Sequence, residues 1–289
     1  MKKSAAVFIL AFLAAAPARA FTLSNFDSPE SVAIDYDDDS YYVSNVNGGL
    51  SEKDGNGYIS RINSTGSLVI QRYIGGNKDE MLLNAPKGLA IVGPLLYVAD
   101  IDTVKAFDKR TRKPAAIIDL SPFSVRFLND LVADRFGNLY VSDTMTNRIF
   151  RIDPSDGYKV RVYVEGPILS SPNGLLINPK TRNLMIATWE SGQLLEVDSN
   201  GKVHVLKRGL SQLDGIDYDP QGNIYLSSYG KGEIYRIAFY GRGALATYVN
   251  GLMTPADISY DRHKNELLIP SFKGNKVTAY QKIETPVKK

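Results

Sequence analysis

The sequence predicts an all-β fold, a six-bladed β-propeller. Three observations carry that expectation. A polar residue, a small or acidic residue and an apolar strand recur six times along the chain. The recurrences begin at Glu30, Lys87, Asn129, Asn173, Asp214 and Ala256, at intervals of 57, 42, 44, 41 and 42 residues. Each is followed by further short strands separated by turn residues, and four antiparallel strands repeated at just over 40 residues describe a propeller blade.

The stretch from Leu213 to Ile237 (LDGIDYDPQGNIYLSSYGKGEIYRI) shows the unit most clearly. Ile216-Asp217-Tyr218 alternates, Asp219-Pro220-Gln221-Gly222-Asn223 turns, and Ile224-Tyr225-Leu226 is apolar. Gly230-Lys231-Gly232 turns again before Ile234-Tyr235-Arg236-Ile237. Short alternating runs bounded by Gly, Pro, Asn and Asp mark strands and hairpins. Second strands are expected at 41–43, 96–98, 139–141, 184–186, 224–226 and 267–269, and third strands follow each. Five repeats add a fourth strand, such as 203–206 and 246–249. The sixth runs instead into the polar tail 284–289. The otherwise unassigned segment Thr22 to Phe26 is expected to supply the missing strand and close the ring, removing two free sheet edges.

Residues 1–20 read as a secretory leader. Lys2 and Lys3 form a basic start, Ala5 to Ala16 is apolar, and Ala18-Arg19-Ala20 is a small-residue cleavage site. The apolar run is too short to span a bilayer. The expected mature chain starts at Phe21 as one propeller domain, 21–289, periplasmic or secreted. The chain has no Cys, which excludes disulfides and thiolate metal sites. The leader holds three of the 34 basic residues and none of the 31 acidic ones, so the remaining chain balances at zero. Charge therefore gives no case for a nucleic-acid or membrane partner. A small-molecule ligand and a monomer are expected.

The first strand of each blade lines the central channel, so the six opening residues should converge at one end of the axis. Glu30, Asn129, Asn173 and Asp214 bring side-chain oxygens to that ring. Two carboxylates about 5 Å apart at an effective dielectric near 20 repel by roughly 3 kcal/mol. Such a pair raises one pKa or holds a cation. Oxygen-only ligands suit Ca²⁺ first, with Mg²⁺, Mn²⁺ or Zn²⁺ as alternatives, of which Zn²⁺ usually takes His or Cys. The same residue types before Gly are turn formers, and each taken singly reads as turn chemistry ahead of metal binding.

Residues after the second strands should rim this mouth: Val46, Ile101, Thr144, Trp189, Tyr229 and Phe272. Trp189 and Tyr229, with Phe272, would form an apolar wall for a substrate or cap the core between blades. Lys87 would hold a substrate oxyanion or balance Glu30. Asp100 and Asp143 are weaker candidates for the wall. The first repeat carries an insertion at Val46 to Asn56, which strand direction places over the same mouth.

Glu52 to Asn63 mimics a Ca²⁺ loop, but ends in Asn rather than Glu and reads as a hairpin turn. The two His, His204 and His263, fall in a fourth strand and a turn, and no G-x-S-x-G is present.

SPESVAID, RFLNDLVAD, SPNGLLIN and LDGIDYDPQGNIYLSS resemble the blade openings of the gluconolactonase / regucalcin / luciferin-regenerating-enzyme family of six-bladed propellers, over essentially the whole mature chain. The resemblance implies a divalent metal held by Glu30, Asn173 and Asp214, with Asn129 beside metal and substrate. It implies a lactone hydrolase in which the metal polarises the carbonyl and Asp214 acts as ligand and base. Two departures stand out: Phe127 occupies the family's Arg position, and the first opening reads Pro-Glu-Ser rather than Glu-Gly-Pro. The reading from another class is a non-catalytic propeller that uses a metal to stiffen its channel.

Overall fold

The computed structural model describes residues 17–75 and 82–281. The apolar run Ala5 to Ala16 and the tail 284–289 lie outside the described residues.

Six four-stranded antiparallel sheets form the molecule. Five run outward in chain order from an innermost strand, and the sixth does so for its first three strands. The first five innermost strands are Pro29–Asp35, Pro86–Val92, Leu128–Ala133, Pro172–Ile177 and Leu213–Tyr218. In the sixth sheet the innermost strand is the short Ser259–Asp261, so Ala256 lies ahead of it, beside an isolated bridge from Pro255 to Ser271.

The sixth sheet takes its outer strand from the start of the chain. Arg19–Ser24 pairs antiparallel with Lys276–Gln281. The closing strand thus begins three residues before Thr22 and stops at Ser24. Its register is continuous from Phe21, opposite Ala279, to Ser24, opposite Lys276, with an irregularity between Arg19 and Phe21. Phe26 is buried beyond the strand and packs with Val32, Tyr41, Val43, Leu268 and Val277.

The core lies in seams between blades. Neighbouring strands of one sheet cover each other's edges, while both sheet faces meet another blade. Middle strands are therefore apolar on both faces, and their side chains alternate between two seams. Ile224 and Leu226 enter the seam with the fourth blade, and Tyr225 enters the seam with the sixth. Tyr42 likewise packs toward the second blade while Tyr41 and Val43 pack toward the sixth. Sequence alternation thus sorts side chains between two interiors, with little of either face left to solvent.

Near the axis the innermost strands come close enough that a side chain becomes the obstacle. A Cβ on Gly174 would stand 2.2 Å from the Asp214 carbonyl oxygen, and one on Gly215 would stand 2.3 Å from the Ile258 nitrogen. Both contacts are with backbone that cannot swing aside. Gly215→Ala should therefore force neighbouring blades apart and cost about 1–3 kcal/mol, as overpacking generally does. A urea unfolding midpoint equal to that of the parent chain would contradict this account of the hub.

Candidate functional site

The same local device places the opening residues of the first five blades. In the first blade Pro29 pairs with Asn45 and Val32 with Val43, so Glu30 and Ser31 face the single residue Ser44. The second to fifth blades repeat this: Lys87 and Gly88, Asn129 and Asp130, Asn173 and Gly174, and Asp214 and Gly215 each oppose one residue. One extra residue in a strand is a β-bulge, which bends the strand and re-aims a side chain. The bulges turn their first residues to one mouth of the channel. A bulge leaves a backbone N–H without its ladder partner. In alternate blades a second-strand Ser accepts it: Ser44 Oγ from Ser31 (2.9 Å), Ser142 Oγ from Asp130 (2.9 Å) and Ser227 Oγ from Gly215 (2.7 Å).

A cavity of about 310 Å³ occupies this mouth. Its floor carries Glu30, Asn129, Asn173 and Asp214, and Lys87, Trp189 and Tyr229 also line it. Every residue singled out from the sequence as metal ligand, base or substrate contact thus meets in one place. Thr144 and Phe272 line it too. The aromatic wall is continuous: ring centroids lie 5.2 Å apart for Trp189 and Tyr229 and 6.3 Å for Tyr229 and Phe272.

Other expectations of rim and wall are corrected. Val46 and Ile101 pack with Ala85 in a small buried cluster instead of facing the cavity. Asp100 and Asp143 end their second strands and hold the loops that lead into the innermost strands. Asp100 accepts from the backbone N–H of Asn84 and Ala85 and from Lys105 Nζ, the last at 2.6 Å. Asp143 accepts from the N–H of Arg126 and Phe127. His204 and His263 also lie away from the cavity lining, beside Asp198 at 2.7 Å and Asp39 at 2.8 Å. Glu52 to Asn63 runs into the strand Tyr58–Ile62, as a hairpin does. Leu50, Phe127 and Met145 line the cavity without having been singled out as wall residues. Leu50 lies in the Val46–Asn56 insertion, which does reach this mouth.

Among the described residues, three buried oxygens of the floor have no hydrogen-bond donor: Glu30 Oε2, Asn129 Oδ1 and Asp214 Oδ1. Buried polar atoms are ordinarily paired. The orientation of Asn129 is fixed by Thr144. The Thr144 hydroxyl donates its one proton to the Pro172 carbonyl (2.8 Å), so its oxygen accepts from Asn129 Nδ2 (3.2 Å). The amide oxygen is left to the cavity.

A second pair of acids lies close by, Asp130 on the third blade's bulge and Asp257 next to Ala256. Asp130 accepts from the N–H of Leu131 and Leu175, both at 2.6 Å. Asp257 accepts from Ser31 Oγ at 2.6 Å. Burial pushes Asp214 up to about 8, aided by Asp130. Burial, then Asp214 and Asp130, hold Glu30 well above the usual carboxylate range against the pull of Lys87. Asp130 rises to about 6 through burial, tempered by its two N–H donors, and Asp257 is raised by burial, Asp130 and Glu30. Lys87 is the cation that faces this group. Its ammonium donates to the carbonyls of Leu50 and Ala85, each at 3.0 Å, and rests 4.4 Å from the Phe127 ring centroid. Burial lowers it to about 8, opposed by Glu30 and Asp100. An oxygen-only donor set with unpaired, crowded carboxyls is one that could hold a hard cation.

The channel's other mouth is different in kind. There Lys109 pairs with Asp35 (2.6 Å) and Asp37 (2.7 Å), and Arg262 with Asp217 (2.6 Å).

No family model and no curated protein matches the chain. Solved structures do. Virginiamycin B lyase from Staphylococcus aureus, as a catalytically inactive His-to-Ala variant with Quinupristin, is 14% identical with a TM-score of 0.61, over 91% of this chain and 99% of that one. A streptogramin B lyase structure is 13% identical, TM-score 0.66, over 90% and 96%. A protein of unknown function from Bacteroides thetaiotaomicron is 13% identical, TM-score 0.69, over 92% and 73%. At such identities the likeness shows a shared propeller fold and no more.

The raised carboxyls carry a pH signature. Asp214 keeps its proton to about 8 in the folded chain, against 3.8 for an ordinary Asp. Between those values the folded state binds more protons than the unfolded one, so stability falls as pH rises. Chelator-treated protein should lose stability between about pH 4 and about pH 8. Asp214→Asn, which cannot titrate, should flatten that slope in urea melts across the range; an unchanged slope would contradict it.

Proposed function

We propose that this protein is an exported, divalent-metal-dependent hydrolase of a lactone or related ester. The observation that carries the reading is the set of donorless buried oxygens on Glu30, Asn129 and Asp214, gathered in a cavity of ligand size. Glu30, Asn173 and Asp214 would hold the ion, with Asn129 beside it, and Ca²⁺ suits their oxygens. Export rests on the leader-like residues 1–20.

When bound, the ion would supply Lewis acidity toward the substrate carbonyl. The chain's own residues do the rest. Asp214 Oδ1 accepts a proton from a water in the cavity as the water oxygen bonds to the carbonyl carbon. The ester C–O bond then breaks, and the leaving alkoxide takes the proton back to give a hydroxy acid. Burial and the neighbouring Asp130 favour the protonated form of Asp214, so a cation on the floor is also what makes it an available base at neutral pH. Thr144 holds the Asn129 amide so that its oxygen, not its NH₂, meets the floor. The aromatic wall and Leu50 shield the reacting carbonyl from bulk water.

A His-dependent lyase chemistry gains no support, because both histidines lie away from the cavity lining. The non-catalytic reading is favoured by one observation: four buried acids crowd the hub and Lys87 offsets only Glu30 among them, so an ion would brace the hub even without turnover.

Asp214→Ala should abolish lactone opening and reduce bound metal in elemental analysis; an unchanged rate sinks the hydrolase reading. Ca²⁺ at about 100 times its dissociation constant should add about 2.7 kcal/mol of stability, and if no lactone or ester in a broad screen is opened, the bracing role alone remains. Thr144→Val should weaken metal binding by about 10–100-fold, as loss of an orienting partner does. Thr144→Ser, which keeps the hydroxyl, should restore it.

A further inference from the structure

The cavity floor and its walls differ sharply in chemistry. The floor is carboxyl and amide. The walls are Leu50, Phe127, Met145, Trp189, Tyr229 and Phe272. Three of the polar groups on the walls are already engaged. Lys87 spends two of its donors on the carbonyls of Leu50 and Ala85 and lies against Phe127. The Thr144 hydroxyl is held between Pro172 and Asn129. The Tyr229 hydroxyl is bonded by Thr254. At the rim, Leu50 and Met145 are 46% and 59% exposed while lining the cavity, so apolar surface continues from the interior to solvent.

We propose that the substrate is an apolar lactone or ester, an alkyl- or aryl-substituted ring whose carbonyl meets the floor and whose hydrocarbon part lies along Phe127, Trp189, Tyr229 and Phe272. The proposal rests on the hydrolase reading above and narrows it. A polyhydroxylated ring would press its hydroxyls on carbon walls with few free partners, and each unpaired hydroxyl costs about tenfold or more in binding. Hydrocarbon gains instead, by about fourfold per methylene removed from water. A cavity of about 310 Å³ holds about ten waters' worth of liquid, enough for a lactone ring with a short alkyl chain or a fused aromatic ring.

Trp189 is the chain's single Trp and sits in the wall, so its fluorescence reports binding independently of turnover. The test uses the full exported chain with Ca²⁺ and an unbranched series: γ-butyrolactone, γ-hexalactone and γ-octalactone, with glucono-δ-lactone as the polyol. Both kcat/KM and the Trp189 titration should strengthen about fourfold per added methylene, and γ-octalactone should exceed the polyol by at least a hundredfold. Phe127→Leu should keep that preference within threefold, and Phe127→Gln should reduce it at least tenfold. Glucono-δ-lactone opened as well as γ-octalactone, or better, overturns the apolar class and leaves the hydrolase intact. No opening of any lactone, with Trp189 still showing the chain-length trend, overturns the hydrolase and supports the apolar site. Neither turnover nor a fluorescence response to the alkyl series overturns both.

Discussion

One extra residue per innermost strand governs this molecule. A regular ladder would send alternate side chains into the seams and leave none aimed at the mouth. The bulge breaks that alternation at one register in each of the first five blades. Glu30, Asn129, Asn173 and Asp214, dispersed over most of the chain, reach a common floor because each repeats the same local irregularity. The stability of the surrounding seams bears the cost of crowding carboxyls there. Residues shaped by the device either face the cavity or, like Gly174 and Gly215, make room for backbone that passes within touching distance.

The hub is organised around an electrostatic deficit. Glu30, Asp130, Asp214 and Asp257 are buried together, and Lys87 offsets only Glu30 among them. Asp130 and Asp257 are partly settled by N–H and hydroxyl donors, whereas Glu30 Oε2 and Asp214 Oδ1 are not. The division separates acids settled by protein donors from acids left open to the cavity, without reference to any relative. It also explains why the opposite mouth, where Asp35 and Asp217 each have a basic partner, reads as scaffold.

The propeller was legible because its repeat survives in spacing and alternation, both of which are local. The floor was legible for the same reason, since position within a repeat stands in for position in space. Ser44, Ser142 and Ser227 were missed, although Val-Ser-Asn, Val-Ser-Asp and Leu-Ser-Ser recur at one place in three second strands. Their role depends on a bulge that no pattern of apolar residues announces. Asp100 and Asp143 misled for a related reason: sequence order put them near the mouth, but backbone N–H groups of the preceding loop claimed them first. Phe127 and Met145 come from loops whose paths periodicity does not describe, and Leu50 enters through an insertion outside the repeat.

The pairing of Arg19–Ser24 with Lys276–Gln281 has a bearing on how the chain is made. Partners some 250 residues apart cannot meet until nearly the entire polypeptide has emerged from the ribosome. Until then the sixth and first blades each present a bare flank, and the wheel stays an open arc. Contacts of such long range are slow to form, so the hub carboxyls spend the interval in water, where they are readily ionised. The hub is thus enclosed only with the last turn of the ring, and the strand Arg19–Ser24 serves as its latch.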